Sequence, residues 1–266
     1  MNTTKISYSD TTGVNKESKD LILHALEQEG YYIEKTNLHE TDNLEALKVE
    51  FQRQCAQIGK PIAHDAMGAI IWDIKSNASS KSFIKTYSEH SHEAELHTDS
   101  QYSHYPEDHF ALLTLKKANC GGGLSFLLSL RDILAELSAL SNGKEIENVL
   151  RKTDFPFIVP NVFKKSDKQE REYNFGPILR DNEIRFRVDT FEKAIKEQPD
   201  LCSEEQLNAY QALKKIILNS TKIKSFYLED GDLIFINNKT MLHGRSSFED
   251  EKRHILRIRM NSVVHN

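Results

Sequence analysis

Cysteine, proline and uninterrupted apolar runs are all scarce in this 266-residue chain, and each scarcity excludes something. The three cysteines, Cys55, Cys120 and Cys202, are far apart and form no CxxC pair. That argues against a disulfide framework or a cysteine-based zinc site, and the expectation is three reduced, buried thiols in a cytoplasmic protein. With six prolines and no Gly/Ser/Pro-rich tract there is nothing to act as a linker. Residues 18–266 therefore read as one domain behind a flexible N-terminal arm, residues 1–17. No stretch nears the roughly 18 apolar residues of a membrane span. The segment MNTTKISYSDTTGVNKESKD is polar and lacks an apolar h-region, which argues against a secretory signal. Cationic charge is also short, with 35 Lys+Arg against 40 Asp+Glu and a net charge of -5. Nucleic acid is disfavoured as a partner, because gripping a phosphate backbone needs a dense cationic surface.

What is present is a chain rich in short apolar segments. Leu21, Ile22, Leu23, Ala25 and Leu26 recur near helical spacing from Ser18 until Gly30. A second helix is expected over residues 43–58, stopped by Gly59-Lys60-Pro61, and amphipathic helices over 131–140 and 204–218. Strands are expected at residues 31–33, 69–74, 109–115, 224–228, 233–236 and 254–260, with a further apolar run at 124–130. Asp230-Gly231-Asp232 sits between two of these strands and reads as a tight hairpin. The pattern is mainly β with flanking helices, an α+β chain whose core is a sandwich or barrel.

Eleven histidines prompt a search for a metal site. His92-Glu93-Ala94-Glu95-Leu96-His97 has one residue too many to place two imidazoles on one helix face. His90, His92, His104 and His109 read as surface or loop histidines. His97-Thr98-Asp99 differs, because in an extended segment residues two apart point to one side, so imidazole and carboxylate can meet one ion. A second imidazole would have to come from a distant strand, and His243, followed by Gly244, suits that role. Two His and a carboxylate leave open positions on ferrous iron. Such a pattern alone is common. Near the C-terminus Arg253, Ile255, Arg257 and Arg259 share one face of a strand. That face reads equally as a solvated surface or as a set of guanidinium forks for carboxylates.

Taken together these blocks resemble the iron(II)/2-oxoglutarate oxygenases of the taurine dioxygenase and clavaminate synthase type. The resemblance runs from about Leu21 to Asn261. It is carried by Glu95-Leu96-His97-Thr98-Asp99-Ser100-Gln101-Tyr102, Gly122-Gly123-Leu124-Ser125, His243-Gly244-Arg245 and the Arg253/Arg257 pair, in that order. It implies a double-stranded β-helix (jelly-roll) core and a dioxygenase using Fe(2+), 2-oxoglutarate and O2. By position it implies that His97, Asp99 and His243 hold the metal and that Arg253 binds the distal carboxylate of 2-oxoglutarate. Ser125 would hydrogen-bond the same cosubstrate, although a one-residue slip would put Leu124 there. Arg257 would meet an anionic group of the substrate. Asp99 fills the position that halogenating relatives leave small, so oxygen insertion is favoured over halide transfer, with desaturation and ring closure left open. The small-molecule substrate implied is a free amino acid or derivative. A taurine-like sulfonate, a betaine, a zinc hydrolase built on the same three ligands and an inactive jelly-roll binding protein are the alternatives.

Overall fold

The computed structural model describes residues 16–38, 43–64, 68–75, 91–160 and 172–263. Residues 1–15 of the expected arm and His90 lie outside the described residues, while Lys16 and Glu17 already belong to the first helix.

Two antiparallel sheets face each other. The larger runs in the order β1 (Tyr31–Lys35), β12 (Asp232–Asn237), β5 (His109–Lys116), β14 (His254–Asn261), with β2 (Lys60–Ile62) and β3 (Ile71–Lys75) side by side along the far edge of β14. The smaller runs β11 (Lys224–Phe226), β6 (Ser125–Ser129), β13 (Met241–Arg245), β4 (Ala94–His97). Alternation along each strand explains the layering. On β12, Ile234 and Ile236 point between the sheets and meet Phe110, Leu127, Phe226 and Met241. Leu233 and Phe235 point outward, with Leu113, Leu256 and Ile258, onto α1 (Lys16–Gln28) and α2 (Leu44–Ile58). The outer face of the smaller sheet, through Leu96, Leu128 and Leu242, packs on α3 (Leu130–Ser138), α4 (Gly143–Lys152), α5 (Val188–Glu197) and α6 (Glu204–Asn219). Each sheet is thus covered on both faces. This is the jelly-roll core with flanking helices that the sequence led us to expect.

Local chemistry sets the helix ends. Asn43 accepts from Ala46 N at the start of α2. Ser129 caps α3, and Ser203 with Gln206 forms a reciprocal capping box at α6.

Two expectations need correction. Asp230-Gly231-Asp232 is not a hairpin turn. β11 before it pairs with β6 in the smaller sheet, and β12 after it pairs with β1 and β5 in the larger one. The turn is a corner between sheets. Gly231 has φ 85, and a Cβ there would lie 2.7 Å from the Thr36 carbonyl oxygen. Cys120 is exposed, in contrast to Cys55 and Cys202, because it lies in the Gly-rich loop outside both cores. Of the two readings left open for the basic face of β14, the solvated one fails. Arg253, just before the strand, and Arg257 and Arg259 within it are only 7–8% exposed, because that face turns inward between the sheets.

One buried acid marks the helix-covered side. Glu34 on β1 is 1% exposed, and neither carboxylate oxygen has a hydrogen-bond partner among the described residues. Burial pushes its pKa up from 4.5 to about 7. An acid whose folded pKa is raised costs nothing below its unfolded pKa. The cost grows as pH climbs toward the folded value, then levels off at about 3 kcal/mol. Wild type should therefore lose stability relative to Glu34→Gln between about pH 4.5 and 7 and run parallel to it above. Urea denaturation of both proteins at pH 5 and pH 8 checks this, and equal differences at the two pH values would refute it.

Candidate metal centre

The site forms where β4 and β13 run antiparallel, with His97 and His243 as direct Cα partners. That close pairing needs a small residue beside it. A Cβ on Gly244 would approach the Ala94 carbonyl oxygen to 2.8 Å. The two imidazoles lie 4.2 Å apart between centroids, tilted by 45°, and the Phe110 ring lies 4.5 Å from His243. β4 ends at His97, so Asp99 stands in the turn beyond rather than in an extended strand, and Ser100 adopts φ 52. The carboxylate still converges. Asp99 Oδ1 is 3.8 Å from His97 Nε2 and 4.0 Å from His243 Nε2. One ligand atom from each of the three residues lies within 4.8 Å of the others.

Protonation suits a cation. Burial, reinforced by Arg187 and Arg257, lowers the His97 pKa to about 4, and burial holds His243 well below its ordinary value. Burial alone would raise Asp99, but Arg257, Arg259 and the two imidazoles outweigh it and hold the carboxyl well below the usual range. At neutral pH the cluster is two neutral imidazoles and one carboxylate, the donor set a divalent metal needs. His97 Nδ1 lies 2.7 Å from the Glu95 carbonyl, which fixes that nitrogen as the N–H and leaves Nε2 as the donor.

The ligand loop is braced from two sides. Asn238 accepts from Asp99 N (2.8 Å) and donates to the carbonyls of Asp99 (3.1 Å) and Glu107 (3.0 Å). Arg185 donates to the Gln101 carbonyl through Nε (3.0 Å) and Nη2 and lies over the Phe157 ring. Thr98 bonds the backbone of Phe186. None of these bracing roles is legible in the sequence. The distant partners Arg185 and Phe186 carried no local signal.

The three arginines that share a face diverge in their partners. Arg257 Nη1 donates to Asp99 Oδ2 at 2.9 Å, and Nη2 lies 3.4 Å from His64 Nδ1. Arg257 thus grips the ligand carboxylate itself. Arg259 pairs with Glu107 at 2.8 Å. Arg253 has no ion pair and its Nη1 no hydrogen-bond partner among the described residues. It lies over the Phe248 ring at 4.8 Å, and Arg245 lies over the same ring at 4.5 Å. Burial and the neighbouring Arg245 charge lower the Arg253 pKa to about 9. A buried guanidinium without a counter-ion is costly, and it attracts an anion.

A cavity of about 80 Å³ links the two ends. Its walls include His97 and His243 at one end and Arg253 and Ser125 at the other, with Arg257 alongside. Ser125, not Leu124, lines it.

The sequence matches, over residues 2–259, the model of a family described as taurine catabolism dioxygenase TauD, TfdA family. The chain belongs to the TauD/TfdA family. No curated protein matches the sequence. Among solved structures, asparagine oxygenase in complex with Fe(II), 2S,3S-3-hydroxyasparagine and succinate is similar. It has a TM-score of 0.71 and 16% identity over 93% of this chain and 80% of that one. The non-heme iron oxygenase OrfP in complex with Fe and alpha-ketoglutaric acid is similar with a TM-score of 0.70 and 17% identity, over 94% and 82%. At such identities these structures speak for the fold. In this TauD/TfdA member, His97, Ser125, His243, Arg253 and Arg257, all of which carried the family resemblance, line one cavity.

Proposed function

We propose that this chain is a single-domain non-haem Fe(II)/2-oxoglutarate-dependent dioxygenase that hydroxylates an unactivated C–H bond of a small carboxylate-bearing substrate, a free amino acid or derivative. The observation that carries this reading is one cavity with a His-Asp-His cluster at one end and an uncompensated buried Arg253 at the other. A hydrolytic zinc site would need the three ligands but would have no use for that guanidinium.

In this proposal His97, Asp99 and His243 would hold the iron. Arg253 and Ser125 take the distal carboxylate of 2-oxoglutarate, which sets the keto acid's other end toward the metal. When bound, ferrous iron with O2 and 2-oxoglutarate supplies the oxidising power, one oxygen atom entering the substrate and the other leaving in succinate with loss of CO2. The chain's own contribution is positioning and exclusion of water. Arg257 keeps Asp99 ionised and aimed, and it would meet the substrate's anionic group through its Nε edge, the part not engaged by Asp99. Phe110, Leu112, Leu228 and Ile255 supply apolar walls. Orientation decides selectivity, since the oxidant attacks whichever C–H bond is held within reach.

The amino-acid reading draws support from the complexes of asparagine oxygenase with 3-hydroxyasparagine and of OrfP with (3R,4R)-dihydroxy-L-Arg. The family description, which names taurine catabolism, is what favours the sulfonate alternative. No described helix is long and apolar enough to cross a membrane. Anaerobic reconstitution with Fe(II), followed by air, 2-oxoglutarate and a panel of amino acids, betaines and taurine, tests the proposal. The expected result is succinate formed with loss of one substrate and a mass gain of one oxygen in the product. Failure to bind Fe(II) or to bind 2-oxoglutarate would overturn the reading.

A further inference from the structure

Along β5 the inward-facing residues are Phe110, Leu112 and Thr114, and along the facing stretch of β14 Arg257 and Ile255, followed by Arg253. The register pairs Leu112 with Arg257 and Thr114 with Ile255. Phe110 lies under His243 and Leu112 lines the cavity. Thr114, one side-chain step further from the metal cluster, lines a small extension of that cavity together with Arg253, Ser125, Gly122 and Gly123. The extension holds about 10 Å³, space for about one oxygen-sized group. Thr114 is 0% exposed, and its hydroxyl has no hydrogen-bond partner among the described residues. Arg253 lines the same space, and its Nη1 is likewise buried without a hydrogen-bond partner among the described residues.

Buried hydroxyls are almost always hydrogen-bonded, and one left unmade costs stability. One acceptor placed between two orphaned donors in one small pocket satisfies both, and a carboxylate oxygen is such an acceptor. We infer that Thr114 is a third cosubstrate-binding residue, donating its hydroxyl to the distal carboxylate of the 2-oxo acid beside Arg253 and Ser125. The β-branched side chain suits the task, because χ1 on a strand is restricted and the hydroxyl is set before the ligand arrives. The pocket therefore presents the Arg253 guanidinium and the Thr114 and Ser125 hydroxyls, donors that match a carboxylate oxygen. This rests on the proposed 2-oxoglutarate reading and specifies which groups of this chain define that end of the ligand.

Calorimetric titration of 2-oxoglutarate into the anaerobic Fe(II) protein separates the possibilities without any turnover. Thr114→Val keeps the shape and removes the hydroxyl; Thr114→Ser keeps the hydroxyl and removes the methyl. The expected order is wild type and Thr114→Ser similar, with Thr114→Val weaker by about 10- to 100-fold. Without ligand, Thr114→Val should melt at or above the wild-type temperature, since it removes an unsatisfied hydroxyl. Wild-type affinity in Thr114→Val would mean the pocket holds a water or nothing, and the inference falls. Weakening in Thr114→Ser but not in Thr114→Val would make the residue a packing element, with the same consequence. If wild type itself fails to bind 2-oxoglutarate, it is the proposed function that fails.

Discussion

Replacing His97 with Ala is expected to cost at least about 100-fold in Fe(II) affinity. Four-ligand metal sites bind with about 10–16 kcal/mol, about 3 kcal/mol per ligand, and each 1.4 kcal/mol is a factor of ten. Succinate formation should fall at least as far. The fold should survive, because His97 faces the cavity while Leu96, on the other face of β4, carries the packing against the helices. Asp99 should stay aimed, since Asn238 and Arg257 hold its backbone and carboxylate independently of His97. Metal analysis after anaerobic loading, beside far-UV circular dichroism, checks the result. Wild-type iron content and turnover in a folded His97→Ala protein would remove that residue from the metal centre.

Arg253→Leu should act in two opposite directions. Truncating one partner of a buried hydrogen-bonded charge pair costs about 2–5 kcal/mol, so the apparent affinity for 2-oxoglutarate should drop by about 30-fold or more. The substrate's own binding should change much less. Without ligands, however, the variant should be at least as stable as wild type. The guanidinium there is buried, has no ion pair among the described residues and shares the Phe248 ring with Arg245. Removing an uncompensated buried cation relieves a cost. Calorimetry with 2-oxoglutarate and thermal melts of the ligand-free protein read the two effects separately. An unchanged 2-oxoglutarate requirement would take Arg253 out of its assigned role, whatever the melt shows.

The arginine strand shows where reading by pattern succeeds and where it stops. Period-two spacing places Arg253, Arg257 and Arg259 on one face, and the structure keeps them there. Pattern cannot say whether such a face meets water or the core, and here it is buried. Nor can it assign partners. Arg257 grips Asp99, Arg259 grips Glu107, and only Arg253 is left without an ion pair among the described residues. The Asp230-Gly231-Asp232 corner fails for a related reason. A glycine with positive φ permits a sharp turn, but whether the flanking strands pair with each other is decided by which neighbours are already in each sheet.

What the amino-acid sequence determined by itself was the chemistry: two imidazoles, a carboxylate and paired arginines in a specific order, with the arginines on one face of a strand. These follow from side-chain identity and from the two-residue repeat of an extended chain, both local properties. Tertiary structure alone decided the convergence of His97 and His243 across β4 and β13, the bracing of the Asp99 turn by Asn238 and Arg185, and the placing of Thr114 with Arg253. Each of those depends on strand register and on contacts between residues remote in sequence. Register is fixed by the burial of both faces of the two sheets at once, a condition that no local stretch of sequence contains.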